Sequence, residues 1–195
     1  QGDLLAIVGA RRATPYGREC ARRFAARCAN RGLTVVSGGA LGCDAAAHAA
    51  ALEYGGRTVA VLGGGCDRLY PAANAELFQR IVDAGGAVVS EYSWEAEPRP
   101  YRFRGRNRII AALSRGLLIA EAGVPSGTFS TADEALRIGR AVMAVPGPIT
   151  SRASSGSNRL IYQGATPIVD DESFEETMFA LFGARTQLKG GQDEC

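Results

Sequence analysis

Six arginines fall between residues 99 and 115, at positions 99, 102, 104, 106, 108 and 115, and no acid interrupts them. Tyr101 and Phe103 are interleaved with them. A guanidinium is a planar, permanently charged donor that grips phosphate oxygens in pairs, and an aromatic ring offers a face on which an unpaired base stacks. Alternated along one stretch, the two groups suit a single-stranded polyanion. Arg106-Asn107-Arg108 runs straight into Ile109-Ile110-Ala111-Ala112-Leu113, which predicts that the basic cluster opens a helix. Cations at that end oppose the helix dipole, so an anion is expected to join them.

Further donors recur after short apolar runs. Gly9-Ala10-Arg11-Arg12-Ala13-Thr14-Pro15 follows the first. Its early glycine stands alone and makes no dinucleotide fingerprint, but Arg11 or Arg12 would sit beside a helix capped by Thr14 and begun by Pro15. Ser37-Gly38-Gly39 follows the second run and Gly63-Gly64-Gly65 the third, where bare backbone amides can approach a phosphate. Ser126-Gly127-Thr128 precedes a later helix, and Ser155-Gly156-Ser157-Asn158 repeats the pattern. A general base is scarce at these joints, so they read as a holder of polyanions rather than a cutter. Asp44 and His48, at i and i+4, form either an acid–base pair or a helix-start carboxylate beside a locally satisfied histidine, and the second is favoured. Cys43 and Cys66 read as small core residues rather than reactive thiols.

The elements that must position these groups alternate strictly. Apolar runs at Leu4–Val8, Leu33–Val36, Thr58–Leu62, Ala87–Val89, Gly116–Ala120, Ala141–Val145 and Thr166–Val169 are short, continuous and rich in Val, Ile and Leu. That is the pattern of strands buried on both faces. Helical periodicity fills Tyr16–Ala29, Asp44–Leu52, Asn74–Ala84 and Thr131–Gly139. The class is therefore α/β, doubly wound around a mostly parallel sheet. One domain is expected over residues 1–183, followed by a polar, disordered tail at 184–195. Phe174, Met178, Leu181 and Phe182 make one apolar helical stripe, which either caps the sheet edge or forms a subunit interface.

Bulk composition narrows the classes. The chain has 195 residues, 46% hydrophobic and 22% charged, the profile of one globular domain. No apolar run is long enough to span a membrane, and the first residues predict no signal peptide. Five cysteines without a CxxC pair, and one histidine, argue for reduced thiols in a cytosol and against a metal centre. No cofactor is expected. Net charge is +2, but residues 1–169 carry +7 and the rest −5. Arginine supplies 21 of the 22 bases, which fits a GC-rich coding sequence or phosphate recognition, and location must decide.

Taken in order, these joints resemble the DNA-processing protein A family (DprA, or Smf). The resemblance runs from about Ala6 to Val169 and rests on Val8-Gly9-Ala10-Arg11-Arg12, Ser37-Gly38 with Asp44 and His48, and Leu62-Gly63 with Tyr70-Pro71. It continues through Arg106-Asn107-Arg108-Ile109-Ile110, Glu121-Ala122, Ser126-Gly127, Val145-Pro146-Gly147 and Gly156 with Asn158. Such a resemblance implies an extended Rossmann-like fold and a cytoplasmic homodimer. It also implies a protein that binds single-stranded DNA and loads the RecA recombinase in natural transformation, without catalysis. Carried onto this chain, phosphates would meet Arg11, Arg12, Arg106 and Arg108, and amides or hydroxyls of Ser37, Gly38, Gly39, Gly63, Gly64, Ser126, Gly127 and Thr128. Asn107 and Asn158 would orient the strand, and Phe103 or Tyr101 would stack on a base. Dimerisation would use surface near Asn158–Phe182. Leu41 and Arg104 depart from the family pattern, and its flanking helical and winged-helix modules have no counterpart in these residues. A rival resemblance exists in Ser130-Thr131-Ala132-Asp133-Glu134, similar to the cytokinin-activating phosphoribohydrolases. It would make Glu134 and Arg106 or Arg108 catalytic on a nucleoside monophosphate.

Overall fold

The computed structural model describes residues 3–184. Seven strands form one sheet: β1 (Leu4–Val8), β2 (Thr34–Ser37), β3 (Thr58–Val61), β4 (Ala87–Val89), β5 (Gly116–Ile119), β6 (Ala141–Ala144) and β7 (Thr166–Pro167). Their order is β4-β3-β2-β1-β5-β6-β7 and every neighbouring pair is parallel. The sheet is thus fully parallel among the described residues. The chain winds outward from β1 to β4, then returns to lay β5 against the other side of β1. Loops leaving β1 and β5 diverge there and open a crevice at the carboxyl ends of both strands.

Alternation along the strands sorts the core into two layers. Leu5 and Ile7 of β1 face α1 (Pro15–Asn30), α2 (Cys43–Glu53) and α7 (Asp171–Phe182), where Phe24, Ala47, Phe174 and Met178 meet them. Ala6 and Val8 face the opposite way, toward Ile110, Ala132 and Leu160. Those come from α4 (Pro100–Leu113), α5 (Thr128–Arg137) and α6 (Ser155–Tyr162). A smaller cluster around Phe78 and Ile81 seats α3 (Ala75–Asp83) against β3.

One boundary shifts, and one pair of alternatives resolves toward packing. The basic cluster opens its helix, but earlier than its apolar run suggested: α4 starts at Pro100, six residues before Arg106, with Arg99 at its N-cap and Arg102 and Arg104 in its first turns. Proline with its fixed φ suits the first helical position, and the arginines after it are good helix formers, so the helix needs no apolar run to begin. The apolar stripe of α7 is not an open interface. Phe174 and Met178 are fully buried, the Phe24 and Phe174 rings lie 4.8 Å apart, and Glu175 pairs with Arg27 at 3.0 Å and Arg31 at 2.6 Å. The stripe therefore closes the α1 side of the sheet. Most of the predicted tail, from residue 185 onward, lies outside the described residues. No helix among the described residues is long and apolar enough to cross a membrane.

Candidate nucleic-acid interface

A cleft of about 770 Å³ occupies the crevice between β1 and β5. The loop after β1 gives Arg11 and Arg12, the first half of α4 gives Phe103, Arg104, Arg106 and Asn107, and the loop into α5 gives Ser126, Gly127 and Thr128. Eight of the fifteen predicted binding residues therefore line one cavity.

Each wall has a local cause. Glu121, at the end of β5 and only 2% exposed, accepts from the Thr14 hydroxyl at 2.5 Å and the Thr14 amide at 2.8 Å. Thr14 in turn caps α1 through the Gly17 amide. One buried carboxylate thus fixes the loop that holds Arg11 and Arg12 over the cleft. Arg11 lies 4.8 Å from the centre of the Phe103 ring, and Tyr70 sits at 5.5 Å on tilted geometry. On the opposite wall Ser126 bonds the hydroxyl and amide of Thr128, and a side chain at Gly127 would meet open space. The first amides of α5 are thus taken by Ser126, and the Gly127 backbone beside them borders the cavity.

Electrostatics favour an anion. Among the described residues, Arg11, Arg12 and Arg104 are exposed and make no ion pair with any carboxylate. Three unneutralised cations around a cleft concentrate positive potential in it.

Arg106 behaves differently. It is 4% exposed, and its guanidinium donates to the carbonyl of Gly38 at 2.7 Å and to that of Val61. Asp44 lies beside it, taking the Gly38 and Ala40 amides at 3.1 and 3.4 Å. Burial pulls Arg106 down to about 10 against the opposing pull of Asp44, and burial raises Asp44 against the pull of Arg106. Desolvation outweighs attraction on both partners. Arg106 is thus a pin that ties α4 to the ends of β2 and β3, with one edge at the cleft floor.

The glycine turns also have a different cause from the one expected. The Gly38 amide is taken by Asp44, and a methyl group there would lie 2.6 Å from Arg106. Gly39 holds φ +65°, and a methyl group there would lie 2.6 Å from Phe78, one at Gly63 2.6 Å from Phe103, and one at Gly64 against the backbone of Ala96 and Pro98. These glycines admit protein groups rather than phosphates. Ser37 is fully buried and bonds the Ile7 carbonyl. Asn158 closes the loop after β6 with both side-chain atoms on Gly147, and Arg108 pairs with Glu91 outside the cleft. Ser37, Gly39, Gly63, Gly64, Arg108 and Asn158 thus lie outside the cavity lining, and Gly38 borders only a small side slot.

The enzyme pair fares no better. Glu134 accepts from Arg137 one turn along α5, and neither it nor Arg108 lines the cavity. His48 bonds Thr58 at 2.6 Å rather than Asp44, so no acid–base dyad forms there. Burial pushes the Cys43 thiol up to about 12, as befits an inert core residue. Residues that sequence reasoning left out of the site are Glu121, Asp44, Tyr70 and Arg104. A lone acid closing an apolar strand was the available signal for Glu121.

A family model described as DNA recombination-mediator protein A matches residues 1–179. Protein Smf of Escherichia coli (strain K12) is 43% identical over 174 residues, 89% of this chain and 46% of that protein. The X-ray structure of DNA processing protein A from Streptococcus pneumoniae has a TM-score of 0.82 at 38% identity, covering 90% of this chain and 61% of that one. A structure of the Helicobacter pylori protein of the same name, determined for its single-stranded DNA binding mode, has a TM-score of 0.83 at 32% identity and covers 92% of this chain and 81% of that one. The chain spans about half the length of the curated relatives it matches.

Proposed function

The chain belongs to the DNA recombination-mediator protein A family, and from that membership we propose that its cleft holds single-stranded DNA. The observation that carries this reading is the set of unpaired Arg11, Arg12 and Arg104 around the Phe103 and Tyr70 rings, faced by the Ser126–Thr128 turn at the start of α5. Phosphates meet the arginines and the helix start, and an unpaired base meets the rings. Single strands win over duplex because bases locked in a stack present no face. The role proposed is one of binding without a chemical step.

Fluorescence anisotropy with labelled oligo-dT and a matching duplex across a salt series tests it. Three neutralised phosphates on a single strand give a log–log slope of about −2, or about 20-fold weaker binding from roughly 50 to 200 mM salt. Arg11→Ala should make the slope shallower by about 0.7. Strand-indifferent binding untouched by Arg11→Ala would sink the reading.

On the same family footing, a cytoplasmic homodimer hands the strand to the RecA recombinase in natural transformation. Tyr162 and Phe179 remain exposed for a dimer contact between residues 158 and 182. Sedimentation that shows only monomer at high concentration would count against the dimer. A failure to speed RecA filament assembly on coated DNA would count against the hand-over.

A further inference from the structure

The outer face of α4 carries a second aromatic and basic array that the cleft does not use. Tyr101 is 67% exposed. Arg102, next to it, has its guanidinium 4.7 Å from the Tyr92 ring centre and 5.8 Å from that of Tyr101. One of its nitrogens donates to the Glu97 carbonyl at 2.7 Å. Among the described residues it pairs with no carboxylate. Arg102 is thus a cation held still by two rings and a carbonyl, with its charge left unneutralised. Such preorganisation lowers the cost of meeting an anion.

The array is continuous with the cleft. Tyr101 and Arg104 stand at i and i+3, so they share one stripe of α4. Arg104 lines the cavity, as do Pro98 and Pro100 on either side of Arg99. Gly105, exposed at the next position on that stripe, leaves the path between them low.

We infer that a bound single strand leaves the cleft over Arg104 and crosses the outer face of α4, where Tyr101 stacks on a base and Arg102 meets a phosphate. This rests on the proposed single-strand binding and names where the flanking nucleotides go. Base stacking is sequence-tolerant, so the extension lengthens the footprint without adding base preference.

The test compares oligo-dT of about six nucleotides, confined to the cleft, with one of about twenty, by anisotropy in the full chain. Tyr101→Ala is expected to weaken the longer strand about tenfold and leave the shorter one unchanged, and Tyr101→Trp to restore the difference. Arg11→Ala is expected to weaken both. If Tyr101→Ala changes neither length, or both alike, the extension is overturned while the cleft reading stands. If Arg11→Ala also changes neither, the cleft reading falls with it. Tyr101 is exposed, so its removal leaves the fold intact and a loss of affinity is not a loss of structure.

Discussion

Replacing Arg106 should unfold the protein more than it should weaken a phosphate contact. In Arg106→Met the Gly38 and Val61 carbonyls lose their donor, and the buried Asp44 loses its counter-ion. Breaking a buried pair from one side costs about 3–5 kcal/mol, a large share of the about 5–15 kcal/mol that holds a domain together. Burial works against the charge of each partner, so removing both together should cost less than removing one. Asp44→Asn with Arg106→Met is therefore expected to recover about 2 kcal/mol of the single-variant loss, read as a coupling energy in a double-mutant cycle. The pH dependence has a definite sign. Asp44 is raised in the folded state, so its contribution is greatest below its unfolded value of 3.8 and declines as pH rises through the folded one. Without Arg106 the folded value climbs further, so the Arg106→Met penalty should shrink on acidification. Urea unfolding of the three variants at neutral and mildly acid pH, with unchanged m, measures all of this. A loss below about 1 kcal/mol together with abolished DNA binding would refute the pin and restore Arg106 as a phosphate ligand.

Two further outcomes follow from buried groups. Glu121→Ala removes both acceptors for Thr14 and frees the loop that carries Arg11 and Arg12. It should weaken oligo-dT binding at least as much as Arg11→Ala, and its salt slope should fall too; an unchanged slope would show that the loop holds without the carboxylate. His48, fully buried, is pulled down to about 3 by burial, with Arg106 adding to the effect. Its contribution is complete above the unfolded value of 6.5 and is lost as pH falls toward 3, at up to about 1.36 kcal/mol per unit. His48→Gln should flatten stability against pH in that window, and parallel curves for variant and parent would contradict the assignment.

Legibility in the sequence tracked the range of the forces involved. All seven strands were readable to within a residue or two, because burial on both faces leaves an unbroken apolar run that no helix of that length would need. The exposed arginines at the cleft, Arg11 and Arg12, were readable from their place after β1. What failed was the assignment of glycines and of Arg106. Glycine after a strand is required equally by a phosphate and by a neighbouring side chain that must come within van der Waals range, and one sequence cannot tell the two apart. Gly63 and Phe103, or Gly38 and Arg106, meet only across the sheet, 40 and 68 residues apart. The same holds for Glu121 and Thr14, 107 residues apart.

The division of labour among the arginines follows from that geometry. A guanidinium keeps its charge through burial and has five donors, so it can bind backbone carbonyls and still present an edge to solvent. Arg106 uses that capacity inward, Arg102 uses it against rings, and Arg11, Arg12 and Arg104 leave theirs outward. A basic stretch of one residue type therefore encodes both the wall of the cleft and its ligands. One guanidinium nitrogen of Arg106 serves both carbonyls while Nε donates to Asn107 Oδ1 at 3.3 Å, so lysine at position 106 would supply the charge but not the rest of the fork. Arg106→Lys should consequently lose stability although charge is conserved, whereas Arg104→Lys should bind single strands nearly as the parent does. Equal stability of Arg106→Lys and the parent would mean that charge alone, and not the fork, holds α4 in place.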